Sequence, residues 1–285
     1  MLLFLFRLLS YFPLRVLHAI GVVLAWIVYL SVPSYRRRFR ENITRAGYAE
    51  HLHAAISESG KTLSELPFIW GAPLEKVMAK VHADNWEIVE QALAAGKGII
   101  FFTPHLGCYE VTAQLGAAHM ALTVMYRPPG KAEHKPIFEA GRMRGNLKLA
   151  ATNLSGVRAM AKALKRNEAV GLLPDHVPRL GEGAWADFFG RPAYTMTLAA
   201  KLQEMSGATI INTYAERLPH GRGYVVHFYP FEEDLGDTPE QQARAVNAAI
   251  EKLVAQCPAQ YFWSYSRFRT PRRADRRPDG AKEPA

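Results

Sequence analysis

Between Gly98 and Thr103 the chain reads GIIFFT, a strand-length run with no polar face. A strand that can turn neither side to water belongs inside a sheet covered on both faces, the position parallel strands hold in α/β proteins. The surroundings repeat that logic. A helical stretch spans Glu41 to Trp70, broken by Pro67 and the GAP at 71 to 73. Asp84 is placed to cap the helix NWEIVEQALAA, with Gly96 as its stop, and the segment from Gly107 to His119 has helical composition. LTVMYR (Leu122 to Arg127) is a second strand, KPIFEAGRMRG a helix, SGVRAMAKALKRN a helix capped by Ser155, and AVGLLP a third strand. TMTLAAKLQEMSG is a further helix, ATIINTYAER and GRGYVVHFYP are two more strands, and TPEQQARAVNAAIEKLVAQC is a long amphipathic helix. Strands alternating with helices predict an α/β fold with a mostly parallel sheet flanked by helices.

The N-terminal 32 residues are apolar nearly throughout, broken by Arg7, Pro13, Arg15 and His18, and SYRRRFR follows at once. From Val16 to Val32 the run is about 17 residues, the lower limit for a bilayer-spanning helix. It ends in Pro33 and arginines rather than in small residues at a cleavage site, so it reads as an uncleaved membrane anchor rather than a signal peptide. A pair of apolar helices packed on the domain or lying in the interface is the other reading. Arg36, Arg37, Arg38 and Arg40 outnumber the positive charges before the run, which places the rest of the chain on the cytoplasmic face. The organisation expected is therefore an N-terminal anchor at 1–34, one α/β domain at 35–270 and a flexible basic tail at 271–285. A net charge of +9 points to an anionic partner surface: phospholipid, an acidic carrier protein or nucleic acid. No basic-aromatic recognition motif supports nucleic acid. The two cysteines, Cys108 and Cys257, suggest neither a disulfide framework nor a zinc site.

A histidine followed five residues later by an acid occurs at His53, His82, His105, His134 and His227, so the spacing alone decides nothing. Only His105 stands at the carboxyl end of a wholly apolar strand, where open α/β sheets bind ligands. Glu110 falls in the first turn of the next helix, whose N-terminus favours an ionised carboxylate. Such a carboxylate could orient the imidazole as a base for a hydroxyl, and a satisfied loop histidine is the alternative. Cys108 offers a nucleophile in principle but reads better as a small half-buried residue. Asp175 and His176 follow a second strand end and are open as a catalytic pair or a hydrogen-bonded turn, with no third ligand for a metal. Arg127, directly after a strand, is placed to fork onto a phosphate or carboxylate.

The ordered set of an apolar N-terminus, ENITRA, TPHLGCYE at a strand end, YRPPGKAEHKPIFEAGRMRG, LLPDHVPRLGEGAWADFFGRPAYT and CPAQYFWSYSRFR resembles the late acyltransferases of lipid A biosynthesis, within the lysophospholipid acyltransferase superfamily. The resemblance runs from the anchor to about Arg269. It implies a glycerolipid acyltransferase-like fold, a membrane-bound enzyme at the bacterial inner membrane, acyl carrier protein as donor and a lipid A precursor as acceptor. It makes His105 the general base with Glu110 as its partner, in direct transfer without an acyl-enzyme or cofactor. Arg127, Arg142 and Arg144 fall in the segment associated with the acceptor phosphate. Asp175, His176, Phe189 and Thr195 match positions lining acyl chain or acceptor, with Trp185 and Phe188 as further candidates for an apolar groove. Cys108 and Tyr109 stand where relatives commonly carry Asn-Trp, and Tyr265 and Ser266 where His-Arg is frequent. These departures bear on the acceptor, so another lipid acceptor, or a non-catalytic lipid-binding role, stands beside the first reading.

Overall fold

The computed structural model describes residues 2–129 and 135–271. His134 and the tail at 272–285 lie outside the described residues. The strands in chain order are β1 (Val81–Asp84), β2 (Ile99–Phe102), β3 (Leu122–Tyr126), β4 (Leu147–Ala151), β5 (Ala169–Leu172), β6 (Gly183–Phe188), β7 (Arg191–Met196), β8 (Thr209–Arg217) and β9 (Tyr224–Pro230). The helices are α1 (Leu2–Ser10), α2 (Leu14–Ser31), α3 (Pro33–Arg45), α4 (Leu52–Ser64), α5 (Leu66–Gly71), α6 (Leu74–Met78), α7 (Glu87–Ala94), α8 (Tyr109–His119), α9 (Lys135–Arg142), α10 (Leu154–Lys165), α11 (Leu198–Ser206) and α12 (Pro239–Gln256). Seven strands form one sheet in the order β1-β9-β8-β2-β5-β3-β4, and β6 with β7 makes a separate antiparallel hairpin. Every pairing in the large sheet is parallel except β8 with β9.

The apolar run at Ile99–Phe102 is the central strand, buried along its whole length. Alternate residues serve opposite layers. Ile100 and Phe102 join a core with Met160 and Leu164 of α10, Leu202 of α11 and Val246 and Ile250 of α12. Ile99 and Phe101 face Val89 of α7 and Val111 and Leu115 of α8.

Several local expectations change. Asp84 ends β1 rather than capping a helix, and its carboxylate accepts from His227 at 3.0 Å. The cap of α10 is Asn153, whose side chain accepts from the Gly156 N–H at 3.0 Å, while Ser155 only donates to Asn153. The stretch from Glu41 to Trp70 divides among α3, α4 and α5.

Helix α2 is docked, not free. Leu14, Leu17, Ala25 and Tyr29 are buried, and Gly21 crosses Gly60 of α4 so closely that a Cβ on Gly60 would stand 1.9 Å from the Gly21 carbonyl oxygen. His18 bonds the buried Glu65 at 3.1 Å. The opposite stripe of the same helix, with Ile20, Val23, Ile27 and Leu30, is exposed.

Candidate active site at the carboxyl edge of the sheet

β2 and β5 are parallel neighbours, so their carboxyl ends emerge side by side. His105 leaves the first and Asp175 the second. The Asp175 carboxylate takes both bonds that His105 offers it: the ring Nδ1 at 2.7 Å and the backbone N–H at 2.9 Å. The backbone is pinned beyond that. The His105 carbonyl accepts from Phe262 N–H at 3.1 Å, and Cys108 N–H donates to Ala215 at 2.9 Å. Gly107 makes the turn possible: its φ is +62°, and a Cβ there would lie 1.9 Å from the Ala215 carbonyl oxygen. Asp175 is 2% exposed. Burial alone would raise its carboxyl, but the charge and hydrogen bonds of His105 outweigh that and hold it below the ordinary range. The Nε2 of His105 has no protein partner among the described residues, and the side chain lines a cleft.

Glu110, expected to be the ring's partner, is bonded elsewhere. It accepts from Trp70 Nε1 at 3.1 Å and from Arg142, whose Nε lies at 3.0 and 3.1 Å and whose Nη2 also reaches it. The Arg142 guanidinium lies over the rings of Trp70, Tyr126 and Phe138 at 5.3, 5.5 and 5.7 Å. Burial works against its charge, but Glu110 outweighs burial and raises it. The reason is placement: in the first turn of α8, Glu110 meets α5 and α9, whereas the imidazole of His105 meets the end of β5.

The cleft has a volume of about 790 Å³. His105, Glu110, Arg127, Arg142 and His176 of the sequence-derived set line it. Arg179, Lys201 and Arg269 add positive charge, against Glu110 and Glu182 as the lining acids, so its field favours an anion. Its apolar wall comes from Val124, Leu147, Val157, Leu172, Met196 and Leu198.

Three expected residues are not brought to it. Arg144 donates to the carbonyls of Ile69 and Ala72, both at 2.6 Å, and so closes the carboxyl end of α5. Phe189, with φ +48°, and Gly190, with φ +72°, form the two-residue turn between β6 and β7, and the Phe189 ring packs on Tyr48, Phe188 and Trp263. Thr195 is buried; it bonds Asn247 at 2.9 Å and accepts from Arg267 at 2.6 Å, joining the hairpin to α12. Phe188 is likewise core, and Trp185 packs on Tyr194. Cys108 is 2% exposed and its thiol is pushed well up by burial and then by Glu65, so it holds no thiolate. Tyr109 and Tyr265 were missed as lining residues. The one signal for them was their departure from the pattern of relatives.

A histidine bonded at one ring nitrogen to a buried carboxylate, on the wall of a cleft rich in cations, is an arrangement chemically able to accept a proton. The family model for the bacterial lipid A biosynthesis acyltransferases matches residues 1–270, and the chain belongs to that family. A Haemophilus influenzae lipid A biosynthesis acyltransferase is 30% identical over 185 residues, covering 65% of this chain and 58% of its own length. The Escherichia coli lipid A biosynthesis lauroyltransferase is 28% identical, covering 78% of this chain and 70% of its own length. The palmitoleoyltransferase of the same organism is 26% identical, covering 78% and 74%.

Proposed function

We propose that the protein transfers a fatty acyl group from acyl carrier protein to a hydroxyl of a lipid A precursor at the cytoplasmic face of the inner membrane. Nε2 of His105 takes the hydroxyl proton as the oxygen attacks the thioester carbonyl; the C–S bond breaks, and the departing thiolate takes the proton back. Asp175 fixes the tautomer and supports the imidazolium. Glu110 acts on Arg142, holding its guanidinium at the cleft beside Arg127, where the two receive the acceptor's phosphate. The apolar wall receives the acyl chain. Donor and acceptor meet directly, since the buried Cys108 thiol is no nucleophile.

The observation that carries this reading is the His105–Asp175 pair opening on a cationic and apolar cleft in a chain of this family. The exposed stripe of α2 supports membrane association of a particular kind. With its other face docked on α4, the helix would lie in the interface plane, stripe toward the acyl chains, with the neighbouring arginines toward anionic headgroups.

His105→Ala in the purified full chain should abolish acyl transfer with the thermal transition retained; retained turnover would overturn the assignment. Mass analysis of lipids from cells lacking the gene tests the acceptor. One missing acyl chain on lipid A supports it, and loss of an acyl chain from another lipid instead contradicts it.

A further inference from the structure

His105 is the inner member of a stack of three rings. His176 lies on it with centroids 3.8 Å apart and planes 9° from parallel, and Tyr265 lies on His176 at 3.9 Å and 18°. The outer ring is fixed from two sides. Its hydroxyl accepts from Val177 N–H at 3.0 Å, and its backbone carbonyl accepts from Asn42 of α3 at 3.0 Å. Arg38, one turn earlier on α3, donates to the Ser264 carbonyl at 2.7 Å and to the Ser266 hydroxyl at 3.1 Å. The ENITRA and QYFWSYSRFR segments thus meet to hold a tyrosine over a histidine over the base.

The middle ring works by its face. The His176 side chain makes no hydrogen bond among the described residues, and its Nε2 is buried without a partner. Burial first, and then the charge of His105, push its imidazole down to about 3, so the face it offers is that of a neutral ring. A cation over a neutral π-face is attracted to it, most strongly where water is excluded. The other groups around the pair are named by position. Asp175 lies at the end of β5, and Tyr109 at the start of α8 meets His105 edge-to-face with ring centroids 4.7 Å apart, with Glu110 and Arg142 next to it. Tyr261 and Tyr265 belong to the C-terminal segment, and Arg267 and Arg269 act on His176 from the same segment. Of these, Asp175 supports the charged imidazole by hydrogen bond; among the rings on it, with Tyr109 edge-to-face and Phe262 tilted at 6.0 Å between centroids, His176 alone lies parallel and stacked on its face.

We infer that His176, backed by Tyr265, is a positioning residue whose ring face stabilises the imidazolium His105 becomes when it holds the hydroxyl proton, and so sets the pH dependence of acyl transfer. The inference rests on His105 being the base, as proposed above, but the effect of the ring face on His105 is measurable without turnover.

The experiment is an NMR titration of the His105 ring in the detergent-solubilised full chain, run beside kcat/KM for acyl transfer as a function of pH. Loss of the face should lower the pKa of His105. In His176→Leu the titration is expected to move down by about half to one unit, the acid limb of the rate profile to follow, and the plateau to fall about threefold to tenfold. His176→Phe keeps a face without nitrogens and should stay within about twofold of the parent in both readouts. An unmoved titration in His176→Leu, or a loss in His176→Phe as large as in His176→Leu, overturns the inference. Tyr265→Leu, expected to move both readouts in the same direction by less, serves if His176→Leu does not fold, and an unmoved titration there overturns it equally. Turnover retained in His105→Asn would sink the base assignment, while the titration would still report on the stack.

Discussion

Among the described residues two histidines are bonded to buried carboxylates, and only one of them lines the candidate site. His105 gives Nδ1 to Asp175 at 2.7 Å, and its Nε2 is left for the cleft. His18 of α2 gives Nε2 to Glu65 at 3.1 Å, but Glu65 also takes Arg217 at 2.8 and 2.6 Å and the Tyr224 hydroxyl at 3.0 Å. Arg217 and Glu65 are 2% and 1% exposed. The chemistry of the two pairs is alike. What differs is whether a ring nitrogen faces a ligand-sized space or a wall of saturated partners. The first arrangement can move a proton; the second fastens the N-terminal helix to α5 and the end of β8.

If the Glu65 cluster is a fastening, breaking it should cost stability without touching chemistry. Arg217→Met strips the buried Glu65 carboxylate of its guanidinium, leaving it only His18 and the Tyr224 hydroxyl, and is expected to cost about 3–5 kcal/mol in denaturant unfolding, with the rate per folded molecule unchanged. A loss below about 1 kcal/mol would remove the contrast. The same cluster has a pH signature. Burial raises the Glu65 carboxyl, but Arg217 and then His18 outweigh it and lower it from 4.5 to about 2. Its folded value lies below its unfolded one, so its stabilisation is complete above about 4.5 and is lost as pH falls from there toward 2. Wild-type stability should drop across that window, and Glu65→Gln should flatten the drop.

A smaller effect is expected at the crossing of α2 and α4. Gly21→Val inserts a side chain where a Cβ would already stand 2.6 Å from the Gly60 carbonyl oxygen, and should cost about 1–3 kcal/mol and expose α2 to protease. Glu110→Gln should loosen Arg142 and lower kcat/KM about tenfold, through acceptor binding, with the pH profile unmoved. A shifted pH limb there would return Glu110 to the role of ring partner. The least effect belongs to Cys108→Ala: activity within about twofold, checked by initial rates, and no acyl-thioester adduct by mass spectrometry.

The central strand, the alternation and the place of His105 were legible because burial on two faces leaves a continuous apolar run, and because strand ends are where such sheets bind. The partner of His105 was not. Glu110 is near in sequence, whereas Asp175 is 70 residues away and becomes a neighbour only because β5 pairs with β2. β1 and β4 were missed for a simpler reason: short strands near the sheet edges, with exposed His82 and Lys148, carry no apolar signature. The turn at Phe189 and Gly190 looked like a ligand segment because a phenylalanine at positive φ does not advertise a hairpin in the way asparagine does. Arg144 and Thr195 belong to the same lesson. Polar residues in motif-bearing segments are often spent on carbonyls and helix ends.

The account stands most directly on Asp175→Asn, assayed for acyl transfer beside its thermal transition. An amide can keep the shape while losing the charge and the tautomer control. The expected result is a loss of about a thousandfold or more in kcat with the fold intact. Turnover within about tenfold of the parent, in a folded Asp175→Asn protein, would contradict it.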